Sequence, residues 1–127
     1  MSTEKKNQTE APIIDEAAFD TAQHEADNSP DLFVYKFPQP WTWEGKTYET
    51  LTFDYSKCKG RDLLTIANDM KTLGRPVVVK AMDEEYCTRL AARMCSDAIG
   101  MDVILEMPGK AYDAIVGSAR RFLLRAE

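Results

Sequence analysis

Gly100-Met101-Asp102-Val103-Ile104-Leu105-Glu106-Met107-Pro108-Gly109 divides the helical part of this 127-residue chain. Gly100 stops one helix, Asp102 is placed to cap a short turn of helix over residues 103–107, and the Pro-Gly pair breaks the chain before a closing helix. That last segment, residues 110–125, carries Tyr112, Ile115, Val116, Ala119, Phe122 and Leu123 at spacings of three and four, which predicts one buried stripe. Arg120, Arg121 and Arg125 fall near its end, where the helix dipole favours cations. Leu124 lies off the stripe.

Two further helices precede this stretch. Residues 62–73 place Leu63, Ile66, Ala67, Met70 and Leu73 on one face, with Gly74 as the stop and Leu64 off the stripe. Asp83 is an N-cap for the next, and Glu84 and Glu85 suit the positive end of its dipole. Its apolar positions (Tyr86, Cys87, Leu90, Ala91, Met94, Cys95, Ala98, Ile99) cover a wide arc, so this helix is expected at the centre of the core, running on to Gly100. Residues 75–80, Arg-Pro-Val-Val-Val-Lys, fit either a short strand or an extended linker.

Upstream the period changes. Leu32-Phe33-Val34-Tyr35-Lys36-Phe37 is aromatic and β-branched, and Pro38 and Pro40 predict that the strand stops near Phe37 or lies at a sheet edge. Trp41-Thr42-Trp43 resumes it, Glu44-Gly45-Lys46 supplies a turn, and Leu51, Phe53 and Tyr55 alternate on the return strand. The expectation is an α+β fold: an N-terminal β-hairpin packed on a small bundle of three to four helices. Trp41 and Trp43, two apart, share a strand face. They serve either as core against the helices or as aromatic anchors for a partner.

Charge divides the chain in two. Residues 1–31 hold eight acidic groups against Lys5 and Lys6, whereas residues 32–127 hold 14 basic and 13 acidic groups. The first segment is read as a disordered acidic arm, because its one apolar cluster, Ile13-Ile14 with Ala17-Ala18-Phe19, buries too little to offset ~1–2 kcal/mol per residue of backbone entropy. The second, residues 32–127, is read as the folded domain. A near-neutral domain with an acidic arm lacks the basic patch that phosphate binding requires, so nucleic acid is disfavoured. No apolar run approaches the ~18 residues of a membrane span and no signal segment opens the chain, so a soluble cytosolic protein with reduced thiols is expected.

Catalytic sets are missing. His24, the one histidine, lies in the acidic arm, which leaves the domain without an imidazole base or a histidine metal ligand. Cys58, Cys87 and Cys95 lack Cys-x-x-Cys spacing, and Cys87 and Cys95 suit a helix core. No phosphate-binding glycine loop occurs. Lys57-Cys58-Lys59-Gly60-Arg61 is the densest basic run and reads as a solvated turn. No cofactor, metal or enzymatic activity is expected.

Phe37-Pro38 followed by Trp43-Glu44-Gly45-Lys46-Thr47-Tyr48, the Arg61-Asp62-Leu63-Leu64 helix start, and Met107-Pro108-Gly109-Lys110-Ala111-Tyr112-Asp113 leading to Phe122-Leu123 resemble, in order and spacing, the tail assembly chaperones of tailed bacteriophages. The group is that related to the Mu-like prophage tail assembly protein. The resemblance covers residues 32–127 and implies a host-cytoplasmic assembly factor, absent from the mature virion. Such a factor binds the tape measure protein before the tail tube polymerises and is displaced by the tail tube protein. It also implies that relatives are made in a longer, frameshifted form. The acidic arm is a departure from the family pattern. On this reading Trp41, Trp43, Leu64 and Leu124 are the partner-binding residues, and their exposure favours self-association into a homo-oligomer when no client is present. A small head–tail or tail completion protein retained in the particle is the alternative. A helical transcriptional regulator is disfavoured because no basic recognition helix is present.

Overall fold

The computed structural model describes residues 31–125. The arm assigned to residues 1–31, and His24 with it, therefore lies outside the described residues except for Asp31. Two antiparallel strands, β1 (Leu32–Trp43) and β2 (Lys46–Asp54), form a hairpin; four helices follow, α1 (Gly60–Thr72), α2 (Glu84–Met94), α3 (Met101–Leu105) and α4 (Gly109–Leu124). The architecture is α+β, the hairpin lying on the helices.

The hairpin closes through Glu44 and Gly45, both at positive φ (49° and 79°). A two-residue turn with this handedness matches the twist of the strands it joins. Phe33 pairs with Phe53 and Tyr35 with Leu51; beyond the prolines, Trp41 pairs with Tyr48 and Trp43 with Lys46. Between Lys36 and Trp41 the register shifts, so that β1 advances further than β2 over this span. The strand therefore does not stop at Phe37. Pro38 and Pro40, which have no N–H for a ladder, are taken up in a bulge of a sheet whose two strands are both edges.

Leu51, Phe53 and Tyr55 point into the core together with Phe37 and Tyr48. Helix α2 lies at its centre: Tyr86, Cys87, Leu90 and Ala91 are fully buried, and α2 contacts α1, α3, α4 and β2. Asp83 caps it by accepting from the Tyr86 N–H (2.8 Å). At its other end, the Arg93 Nε donates to Asp62 (2.7 Å), whose carboxylate also accepts from the Lys59 N–H at the start of α1. Helix α4 packs along α2 and β1. The Ser118 hydroxyl donates to the Ile115 carbonyl (2.6 Å), which leaves it to accept from the Tyr55 hydroxyl (2.7 Å), and Tyr55 stacks on Phe122.

Three boundaries differ from the sequence reading. Helix α2 ends at Met94, not Gly100, because the following residues join the free edge of β2. Cys95 bridges Phe53, the Ser96 N–H donates to the Thr52 carbonyl (2.8 Å), and the Thr52 N–H donates to Asp97 (3.0 Å). Ala98 then turns the chain at φ 56°. Gly100, rather than Asp102, occupies the cap position of α3, with Asp102 in its first turn. Leu73 is exposed, because α1 stops at Thr72 and Leu73 belongs to the turn toward Gly74. Residues 75–79 form no strand and lead to a 3-10 turn at Lys80–Met82.

Ala98 carries a strained backbone, since a Cβ disfavours the left-handed region. Ala98→Gly should raise stability by about 0.5–1 kcal/mol, after allowing for the greater freedom glycine adds to the unfolded chain. Denaturant titration reads this; destabilisation would mean that the Ala98 methyl packs.

Glu85 predicts the acid response. Arg75 donates to it through two nitrogens (2.7 and 3.0 Å) and Arg89 through Nε (2.9 Å). These guanidiniums, Arg75 first, hold its pKa down from 4.5 to about 2. The folded state thus binds this proton less readily than the unfolded state. Stability from the pair is complete above about pH 4.5 and is lost as pH falls through about 2. Glu85→Gln should flatten stability against pH over that window, and an unchanged acid limb would contradict the pairing.

Candidate functional site

Beyond the bulge the hairpin carries a row of rings. Phe37 stacks on Trp41 (centroids 5.9 Å apart) and Trp41 on Trp43 (6.1 Å, planes within 5°); Tyr48 meets Trp41 at a tilt of 32° (5.4 Å), and Tyr35 meets Phe37 edge-on at 5.0 Å. The β1 side chains withdrawn at least partly from solvent are Phe33, Tyr35, Phe37, Trp41 and Trp43, and the register shift, over which β1 advances five positions and β2 two, sets Trp41 opposite Tyr48. Phe37 and Tyr48 are buried, whereas both indoles are half-buried. Each indole packs on its neighbours and keeps part of its surface in solvent.

Three rings of the row form one wall of a groove of about 350 Å³. Tyr35, Phe37 and Trp41 supply its hairpin side, and Pro108, Lys110 and Ala111, at the start of α4, supply the other. Pro38, Gln39 and Pro40 of the bulge line it as well. Lys110 is the one charged residue that lines it, and a second cation, the Lys46 Nζ, sits 5.1 Å above the Tyr48 ring. An apolar trough with a single cationic lip is suited to an apolar side-chain row whose flanks are acidic.

Trp41 and Trp43 are brought together; Leu64 and Leu124 are placed elsewhere. Leu64 stands 62% exposed on α1, which packs chiefly on α2. Leu124 is 48% exposed at the far end of α4, roughly 20 Å along the helix from Ala111 at 1.5 Å per residue. A second apolar surface, absent from the sequence reading, lies on the loop before α2. Val78 is 93% and Met82 71% exposed, with Val79 beside them. Arg120 holds this loop to α4, its Nε donating to the Ala81 carbonyl (2.7 Å) and its Nη2 lying 3.5 Å from Glu84. The signal for it was the position of Met82, outside both neighbouring stripes.

A cleft of about 270 Å³ between α1, α2 and Gly100 is lined by Arg89 and Arg93, but these guanidiniums are committed to Glu85 and Asp62. The three cysteines are free thiols, each with its pKa raised, chiefly by burial. Raised thiols are poor nucleophiles at neutral pH. Among the described residues no cluster of three His, Cys, Asp or Glu side chains could hold a metal, and no helix is long and apolar enough to cross a membrane. No family model matches the chain, and no curated protein or solved structure matches it.

Proposed function

We propose that this chain is a tail assembly chaperone of a tailed bacteriophage. It holds an apolar segment of the tape measure protein in the host cytoplasm until the tail tube protein displaces it, and it is left out of the finished virion. The observation that carries the proposal is the half-buried Trp41–Trp43 stack beside an apolar groove. Aromatic anchors around a concave apolar site supply most of the energy in helix-in-groove recognition. Val78, Met82, Leu64 and Leu124 add exposed apolar area around the domain, which favours transient contact with a long apolar client and self-association in its absence. The absence of an enzymatic role is part of the same proposal, as is the lack of a nucleic-acid partner.

The composition of purified tails tests the proposal. The chain is expected in assembling lysates and missing from mature particles. A fixed number of copies per finished tail would overturn the reading and establish the head–tail or tail completion alternative.

A further inference from the structure

We propose that the groove is occupied, when no client is present, by the chain's own acidic arm, with the segment 13–20 (Ile-Ile-Asp-Glu-Ala-Ala-Phe-Asp) in the client's place. This rests on the reading of the groove as the client site and adds its regulation.

Three observations select this occupant. First, thirty residues precede the described part of the chain, and they enter the fold at a defined point. The Asp31 carbonyl accepts from the Tyr55 N–H (2.7 Å), and its carboxylate pairs with Arg125 just past the end of α4. From Arg125 back to Ala111 at the groove is roughly 21 Å of helix at 1.5 Å per residue. The stretch between Phe19 and Asp31 spans up to roughly 40 Å when fully extended, so the apolar cluster reaches the groove.

Second, the segment has the pattern of an amphipathic client. Ile13 and Ile14 recur as Ala17 and Ala18 at the four-residue spacing of a helix face, and Phe19 follows. Third, the charges agree. The segment carries Asp15, Glu16 and Asp20, while the groove is lined by Lys110 and by no carboxylate. Tethering gives the arm an effective concentration on the order of millimolar at the groove, so a weak intrinsic affinity is enough to occupy it and a tight client still displaces it.

The test uses the full chain and the indole N–H resonances of Trp41 and Trp43. Ile14→Asp combined with Phe19→Asp should shift the Trp41 resonance, and a synthetic peptide of residues 8–24 should return it at about millimolar concentration. An unchanged resonance in the double variant overturns the proposal, and so does a shift that the peptide fails to reverse. Capture of the tape measure protein is scored separately. A shifted and restored resonance with no capture by either chain supports the arm's seat while removing the client reading. Capture without any resonance change overturns the arm's seat while leaving the client reading in place.

Discussion

Leu90→Ala is expected to lower the unfolding free energy by about 2–5 kcal/mol, the range for a fully buried leucine whose cavity relaxes only in part. Leu90 is completely excluded from solvent on α2, the one helix in contact with α1, α3, α4 and β2. Tyr86, one turn before Leu90 on the same helix face, is itself fixed by a hydrogen bond from its hydroxyl to the Leu63 carbonyl (3.0 Å). Collapse around the missing methyls is therefore restricted, which favours the upper part of the range. For a domain of this size each 1 kcal/mol moves the thermal midpoint by roughly 4–8 °C, so a fall of at least about 10 °C should be seen by calorimetry. A shift of a degree or two would place α2 at the periphery and refute this packing.

The second large effect concerns binding. Trp41→Ala removes the ring that touches Phe37, Trp43 and Tyr48 and that lines the groove. Loss of an interface anchor costs about 2 kcal/mol or more, so under the proposed function affinity for the tape measure protein should fall by roughly thirtyfold or more. The unfolding midpoint should drop less than for Leu90→Ala, because the indole keeps part of its surface in solvent whereas Leu90 is fully enclosed. Leu124→Asp, some 20 Å away along α4, should weaken binding much less if the groove is the principal seat. Equal losses at both positions would mean that the client lies along α4 rather than in the groove.

Much of this fold follows from local rules. Positive-φ turn chemistry placed the hairpin at Glu44-Gly45, Asp83 capped α2 as its side chain demands, and spacings of three and four marked the buried faces of α1 and α4. Local rules failed where a distant element decided the outcome. The apolar pattern of α2 continues past Met94, yet the backbone of residues 95–97 is drawn off by the open edge of β2, more than forty positions earlier. Pro38 and Pro40 signal a strand end by themselves, but β2 continues to pair on both sides of them. The site shows the same division. Trp41 and Trp43 stood out by type and spacing, whereas the opposite wall, Pro108 to Ala111, reads from sequence only as a helix start. Its partnership with the hairpin arises from the packing of α4 antiparallel to β1, in which Arg121 near the end of α4 lies over Phe33 at the start of β1.

Under the proposed function this domain holds the tape measure protein in solution. Co-expression of the two proteins in a bacterial host, with the soluble yield of the tape measure protein measured against its yield alone, tests it most directly. A several-fold rise in soluble tape measure protein, recovered as a complex with this chain, is the expected result. Equal solubility of the tape measure protein with and without this chain would contradict it.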